Sequence, residues 1–115
     1  MRKILIVDED KNVRISLSIG LGRKGHLVDV AKNAQVALIK LKEECYDFVL
    51  TDIIMPDIGG IFLATIINQL YPEVQIILMS TSDFKDYEGK HKQLDNCPKL
   101  SKPFGIATLL ELLQK

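Results

Sequence analysis

Four short runs in this chain each stop on polar side chains: Ile4-Leu5-Ile6-Val7 on Asp8-Glu9, Phe48-Val49-Leu50-Thr51 on Asp52, Ile76-Ile77-Leu78-Met79 on Ser80, and Leu100-Ser101 on Lys102. Continuous apolar runs of this length are typical of strands covered on both faces, which predicts a parallel sheet packed between helices. Open α/β sheets bind ligands outside the carboxyl ends of their strands. The pattern that dictates the fold therefore also gathers acids, a hydroxyl and an ammonium at one edge.

Between the runs the periodicity changes. Residues 12–24 alternate at Val13, Ile15, Leu17, Ile19 and Leu21, which by itself is a strand signature. Val13, Leu17 and Leu21 also share a helical face, Asn12 can cap the start and Gly25 the end, and a parallel crossover needs a connecting element. A helix is expected there, followed by a strand at 27–31. A second helix is expected at 33–44, with Ala34, Ala37, Leu38 and Leu41 inward. After Asp52 a turn through Pro56, Gly59 and Gly60 leads to a helix at 61–70, with Phe62, Ile66, Ile67 and Leu70 toward the sheet and Tyr71-Pro72 as its stop. A strand at 74–79 and a last helix at 104–114, with Ile106, Leu109, Leu110 and Leu113 inward, complete the pattern. Residues 81–99 are polar, contain Gly89 and Pro98 and lack apolar periodicity, so any fourth helix there is short or irregular. This alternation is that of a doubly wound α/β fold, one domain over residues 1–115 with no second domain expected.

Fifteen basic residues balance fifteen acidic ones, and no basic run is interleaved with aromatics, so direct nucleic-acid binding is not expected. The locally basic stretch Lys85 to Lys92 is interrupted by Asp86 and Glu88 and reads as solvated surface. The first apolar run ends at Asp8, too soon for a secretory or membrane segment. Cys45 and Cys97 belong to no CxxC or Cys/His cluster, and His26 and His91 lack metal-ligand spacing.

Asp8, Glu9 and Asp52 would stand at neighbouring strand ends, where two like charges ~4 Å apart repel by about 4 kcal/mol at an effective dielectric near 20. Such a cluster needs cations. Mg²⁺ suits carboxylates, water and phosphate oxygens, and Lys102 adds a compact ammonium. Carboxylates form aspartyl-phosphate intermediates, and Asp52, ending its strand before a Pro-Gly turn, is the best nucleophile. Mg²⁺ and Lys102 would stabilise phosphoryl charge, and the Ser80 hydroxyl could bond one of the phosphoryl oxygens.

These residues resemble the receiver domain of two-component response regulators. The likeness runs through Ile-Leu-Ile-Val-Asp-Glu-Asp at 4–10, Gly25, Ala37-Leu38, Tyr46-Asp47, Asp52-Ile53-Ile54-Met55-Pro56-Asp57 with Gly60, Ser80, and Lys102-Pro103-Phe104. It implies a flavodoxin-like fold with strand order 2-1-3-4-5 and phosphotransfer from a histidine kinase or phosphotransferase to Asp52. It also implies Mg²⁺ held by Glu9, Asp52 and the Ile54 backbone carbonyl with Asp8 assisting, a downstream effector protein or output domain as partner, and a cytoplasmic setting. Such a module turns over no separate substrate.

The departures bear on output. Glu9 stands where the family more often has Asp, and Ser80 replaces the commoner Thr while keeping the hydroxyl. Thr81 occupies a position that is usually small, Ile54 one where a polar side chain can orient hydrolytic water, and Lys99 one where an aromatic usually swings inward. Two alternatives are a degenerate receiver acting as a phosphorylation-independent interaction module and an aspartate-nucleophile phosphatase. The latter is disfavoured by the absence of a cap domain and by Asn12 two places after the second acid.

Overall fold

The structure is a computed structural model and describes residues 1–55, 58–81, 84 and 94–114. Five strands, β1 (Lys3–Val7), β2 (Leu27–Ala31), β3 (Phe48–Asp52), β4 (Gln75–Ser80) and β5 (Lys99–Ser101), form one parallel sheet in the order β2-β1-β3-β4-β5. The helices among the described residues are α1 (Lys11–Gly22), α2 (Ala34–Glu43), α3 (Gly60–Leu70) and α4 (Ile106–Leu113). The flavodoxin-like order expected from the resemblance is the one observed. The short helix expected within 81–99 falls largely outside the described residues, as do His91 and the whole of the Lys85–Lys92 stretch.

Side chains alternate across a strand, so β1 feeds two cores. Leu5 and Val7 join Val49, Leu63, Ile67 and Leu78 under α2 and α3, while Ile4 and Ile6 join Leu17, Leu21, Phe48, Leu50 and Leu109 under α1 and α4. Burial on both faces explains why these strands read as unbroken apolar runs.

The strand-like alternation in α1 resolves as a helix whose inner stripe is Val13, Leu17 and Leu21, with Ile15 and Ile19 exposed. Its cap differs from expectation. Asp10, not Asn12, caps the helix, its carboxylate accepting from the Asn12 N–H at 2.8 Å. The helix ends at Gly22, and the chain then reverses through Gly25 at φ +88°. Asn33 caps α2 by accepting from the Val36 N–H at 2.9 Å.

In α3 the buried face is Gly60, Leu63, Ala64 and Ile67; Phe62 and Leu70 are exposed and Ile66 half-buried, contrary to the expected stripe. Gly60 sets that rotation. It packs so tightly against β3 that a Cβ there would lie 1.8 Å from the Asp52 carbonyl oxygen, so positions three, four and seven residues later turn inward with it. The last helix starts at Ile106 rather than Phe104, with Gly105 as its N-cap.

Candidate functional site

The carboxyl ends of β1, β3, β4 and β5 meet. Parallel pairing sets Asp52 beside Met79 and Ser80 beside Ser101, and the Lys102 N–H donates to the Ser80 carbonyl at 2.8 Å, which ties the end of β5 to β4. From there the Lys102 Nζ reaches Asp8 Oδ2 at 2.5 Å and Asp52 Oδ2 at 2.8 Å. The side chains of Lys102, Asp8 and Asp52 are only 12, 2 and 15% exposed. One ammonium thus bridges two sheltered carboxylates from strands that are neighbours in space but 44 residues apart in the chain, counted from Asp8 to Asp52. Burial works against the charged amine, but hydrogen bonds and charge attraction from Asp52 and Asp8 outweigh it, so Lys102 holds its proton above the ordinary lysine value.

The second oxygen of each carboxylate is also engaged. Asp8 Oδ1 accepts from the Asp10 N–H at 2.9 Å, and Asp52 Oδ1 from the Ile54 N–H at 3.0 Å. Backbone donors and the shared ammonium therefore orient both groups toward an open cleft of about 450 Å³. Glu9, Ile54 and Thr81 line that cleft as well. Ser80 is fully buried at the end of β4 and does not line it.

Sequence reasoning missed Arg14. Its guanidinium donates from Nη1 to the carbonyls of Asp8, at 2.8 Å, and Glu9, at 2.9 Å, pinning the loop that carries both acids to the first turn of α1. A signal was available: a cation in the first turn opposes the helix dipole, so it needs a specific partner there. Lys99 is likewise tied to backbone, its Nζ donating to the carbonyls of Leu94 (3.4 Å), Asp95 (3.2 Å) and Cys97 (3.0 Å).

Four acids, Asp8, Glu9, Asp10 and Asp52, share this cleft with one ammonium, which leaves it negative, and its donors are hard oxygens of the kind Mg²⁺ takes. The donor set fits that ion. Glu9 stays at the rim: among the described residues no three His, Cys, Asp or Glu side chains stand together as a finished metal shell.

Comparison with known proteins agrees with this fold. The family described as the response regulator receiver domain matches residues 4–114. The DNA-binding transcriptional regulator NtrC of Proteus hauseri is 32% identical over 97% of this chain, which spans only 24% of that regulator's length. The response regulator receiver protein CpdR of Brucella abortus is 29% identical over all of this chain and 96% of its own length. Among solved structures, response regulator protein TrrA from Thermotoga maritima, in complex with Mg²⁺-BeF, superposes with a TM-score of 0.87 at 31% identity, covering 99% of this chain and 97% of that one.

Proposed function

The chain belongs to the response regulator receiver domain family of two-component signalling, and from that premise we propose that Asp52 is its phospho-acceptor. In this reading, Mg²⁺-dependent transfer from a histidine kinase or phosphotransferase switches the binding of a downstream effector protein or output domain, in the cytoplasm, with residues 1–115 acting as one receiver unit. The observation that carries the reading is the Lys102 ammonium held between Asp8 and Asp52. A structural ion pair needs one carboxylate; two on one ammonium at a strand-end cleft is the arrangement a phosphoryl group requires. The same arrangement argues against the degenerate-receiver alternative.

In the transfer an Asp52 oxygen forms the P–O bond as the P–N bond to the donor histidine breaks, and the imidazole leaves with that electron pair. Asp52 attacks as the anion, so no base is needed. Backbone donation from Ile54 holds the carboxylate in place, and Lys102 is close enough to follow the charge onto the phosphoryl oxygens. Glu9, Asp52 and the Ile54 carbonyl, with Asp8 assisting, would hold Mg²⁺, which when bound supplies further charge neutralisation. Ser80 would donate its hydroxyl to the phosphoryl group once it is attached.

The direct test is exposure to an acyl phosphate with Mg²⁺, read by intact mass. One added phosphoryl group is expected on the wild-type chain and none on Asp52→Asn or with chelator present. A wild-type chain that stays unmodified under these conditions defeats the proposal.

Ile54 bears on lifetime. Its side chain is 52% exposed at the cleft and offers no hydrogen bond to an attacking water. Slow dephosphorylation follows, and Ile54→Asn should accelerate it roughly five- to tenfold, the worth of about one net hydrogen bond. Decay of the phosphorylated protein, followed by mass, checks this; equal rates in the two proteins would remove water positioning as the cause.

A further inference from the structure

At the opposite edge of the sheet, where β1 and β2 begin, a cleft of about 500 Å³ is lined by Met1, Arg2, Lys24 and His26, with Leu110 and Leu113 of α4 as an apolar floor. None of the described lining residues is acidic, and neither Arg2 nor Lys24 forms an ion pair among the described residues. The Arg2 guanidinium, which lines the cleft, lies 5.8 Å from the centroid of the Phe48 ring, a cation–π contact that holds its planar donor fork at this end of the sheet. His26 Nδ1 accepts from the Arg2 N–H at 3.1 Å, so the neutral ring carries its proton on Nε2 and keeps a donor. Burial first, and then the charges of the chain amine and Arg2, hold this imidazole below its usual range.

We propose that this cleft binds a small phosphate monoester, its head taken by Arg2, Lys24 and His26 and its apolar body by Leu110 and Leu113. The volume suits a small ligand. A fork of guanidinium donors, a mobile ammonium and a ring N–H, all from the chain around β1, α1 and β2, match a compact dianion. The site lies at the far end of the strands from Asp52, so it stands or falls independently of phosphotransfer there.

The test is titration of the isotopically labelled chain with phenyl phosphate at constant ionic strength and without divalent metal, following the His26 ring by NMR. The charged groups facing His26 among the described residues are the chain amine, Arg2 and Lys24; α4 contributes only uncharged side chains. A bound dianion offsets those charges, so the expected result is a saturable shift with the His26 titration moved upward. Arg2→Gln and Lys24→Gln should each weaken binding about tenfold, the loss of one charge-assisted hydrogen bond. Phenyl phosphate should bind more tightly than inorganic phosphate. Overturning results are a shift reproduced by sodium chloride alone, both variants binding like the wild type while remaining folded, or equal affinity for the two phosphates.

Discussion

Replacing Lys102 with methionine should slow phosphoryl acceptance at Asp52 by about 10²-fold or more and lower unfolding stability by about 3 kcal/mol. The side chains are similar in length, so the change removes charge and hydrogen bonding while keeping much of the packing. Asp8 and Asp52 then face each other with nothing between them, and Asp8 is only 1% exposed. Removing one partner of a sheltered ion pair leaves the other's desolvation uncompensated, which is why the loss exceeds the net worth of the intact pair. Arginine at this position should not rescue the rate, because a planar fork cannot sit as a point charge between two carboxylates. Phosphodonor kinetics with intact mass checks the first effect and chemical denaturation the second. A variant with wild-type stability and wild-type rate would mean that the bridging ammonium serves neither purpose.

The second large effect belongs to a residue with no side chain. Gly60→Ala should cost at least about 3 kcal/mol, a fall in Tm on the order of 10 °C, and slow phosphorylation of Asp52 at the same time. The added Cβ would meet the Asp52 carbonyl oxygen at 1.8 Å, Ile53 Cα at 2.6 Å and the Asp52 carbonyl carbon at 2.7 Å. All three are backbone atoms, so no rotamer change relieves the clash, and either α3 or the end of β3 must move. Gly22 is the control, since nothing lies within 4 Å of a Cβ built there and it closes α1. Gly22→Ala should stabilise by roughly 0.5 kcal/mol or more through helix propensity and lower unfolded-state entropy. Thermal melts of the two variants beside the wild type decide the matter. A Gly60→Ala protein that melts like the wild type would show that the contact between α3 and β3 is loose.

The strands were legible because burial on both faces writes itself into composition. The expected run at 4–7 lies within Lys3–Val7, where Ile4 to Val7 are all buried, and the polar residue ending it marks where the sheet meets the cleft; Leu27–Ala31, at the sheet's edge, keeps its expected bounds although only Ala31 is buried. The orientation of α3 was not legible. Seven of its eleven residues, Ile61 through Ala64, Ile66, Ile67 and Leu70, are apolar, so several stripes compete and size favoured the one through Phe62. Close approach at Gly60 decides between them, and that is a property of the sheet rather than of the helix. In the site, Asp8, Asp52 and Lys102 came together as expected because each sits at a strand end. Arg14 escaped notice because its role is to hold carbonyls, and only its place in the first turn of α1, against the helix dipole, pointed to a partner.

The lysine that opens β5 has mechanical implications. An ammonium has three N–H donors, and Lys99 directs them at the carbonyls of Leu94, Asp95 and Cys97. Residues 94–99 are thereby clamped into a single rigid piece, and Lys102 follows three positions later, just past the end of that strand. Any displacement that draws Lys102 deeper into the acidic cleft must haul that whole clamped corner with it, as a crank turns its shaft, instead of tipping one ring in or out.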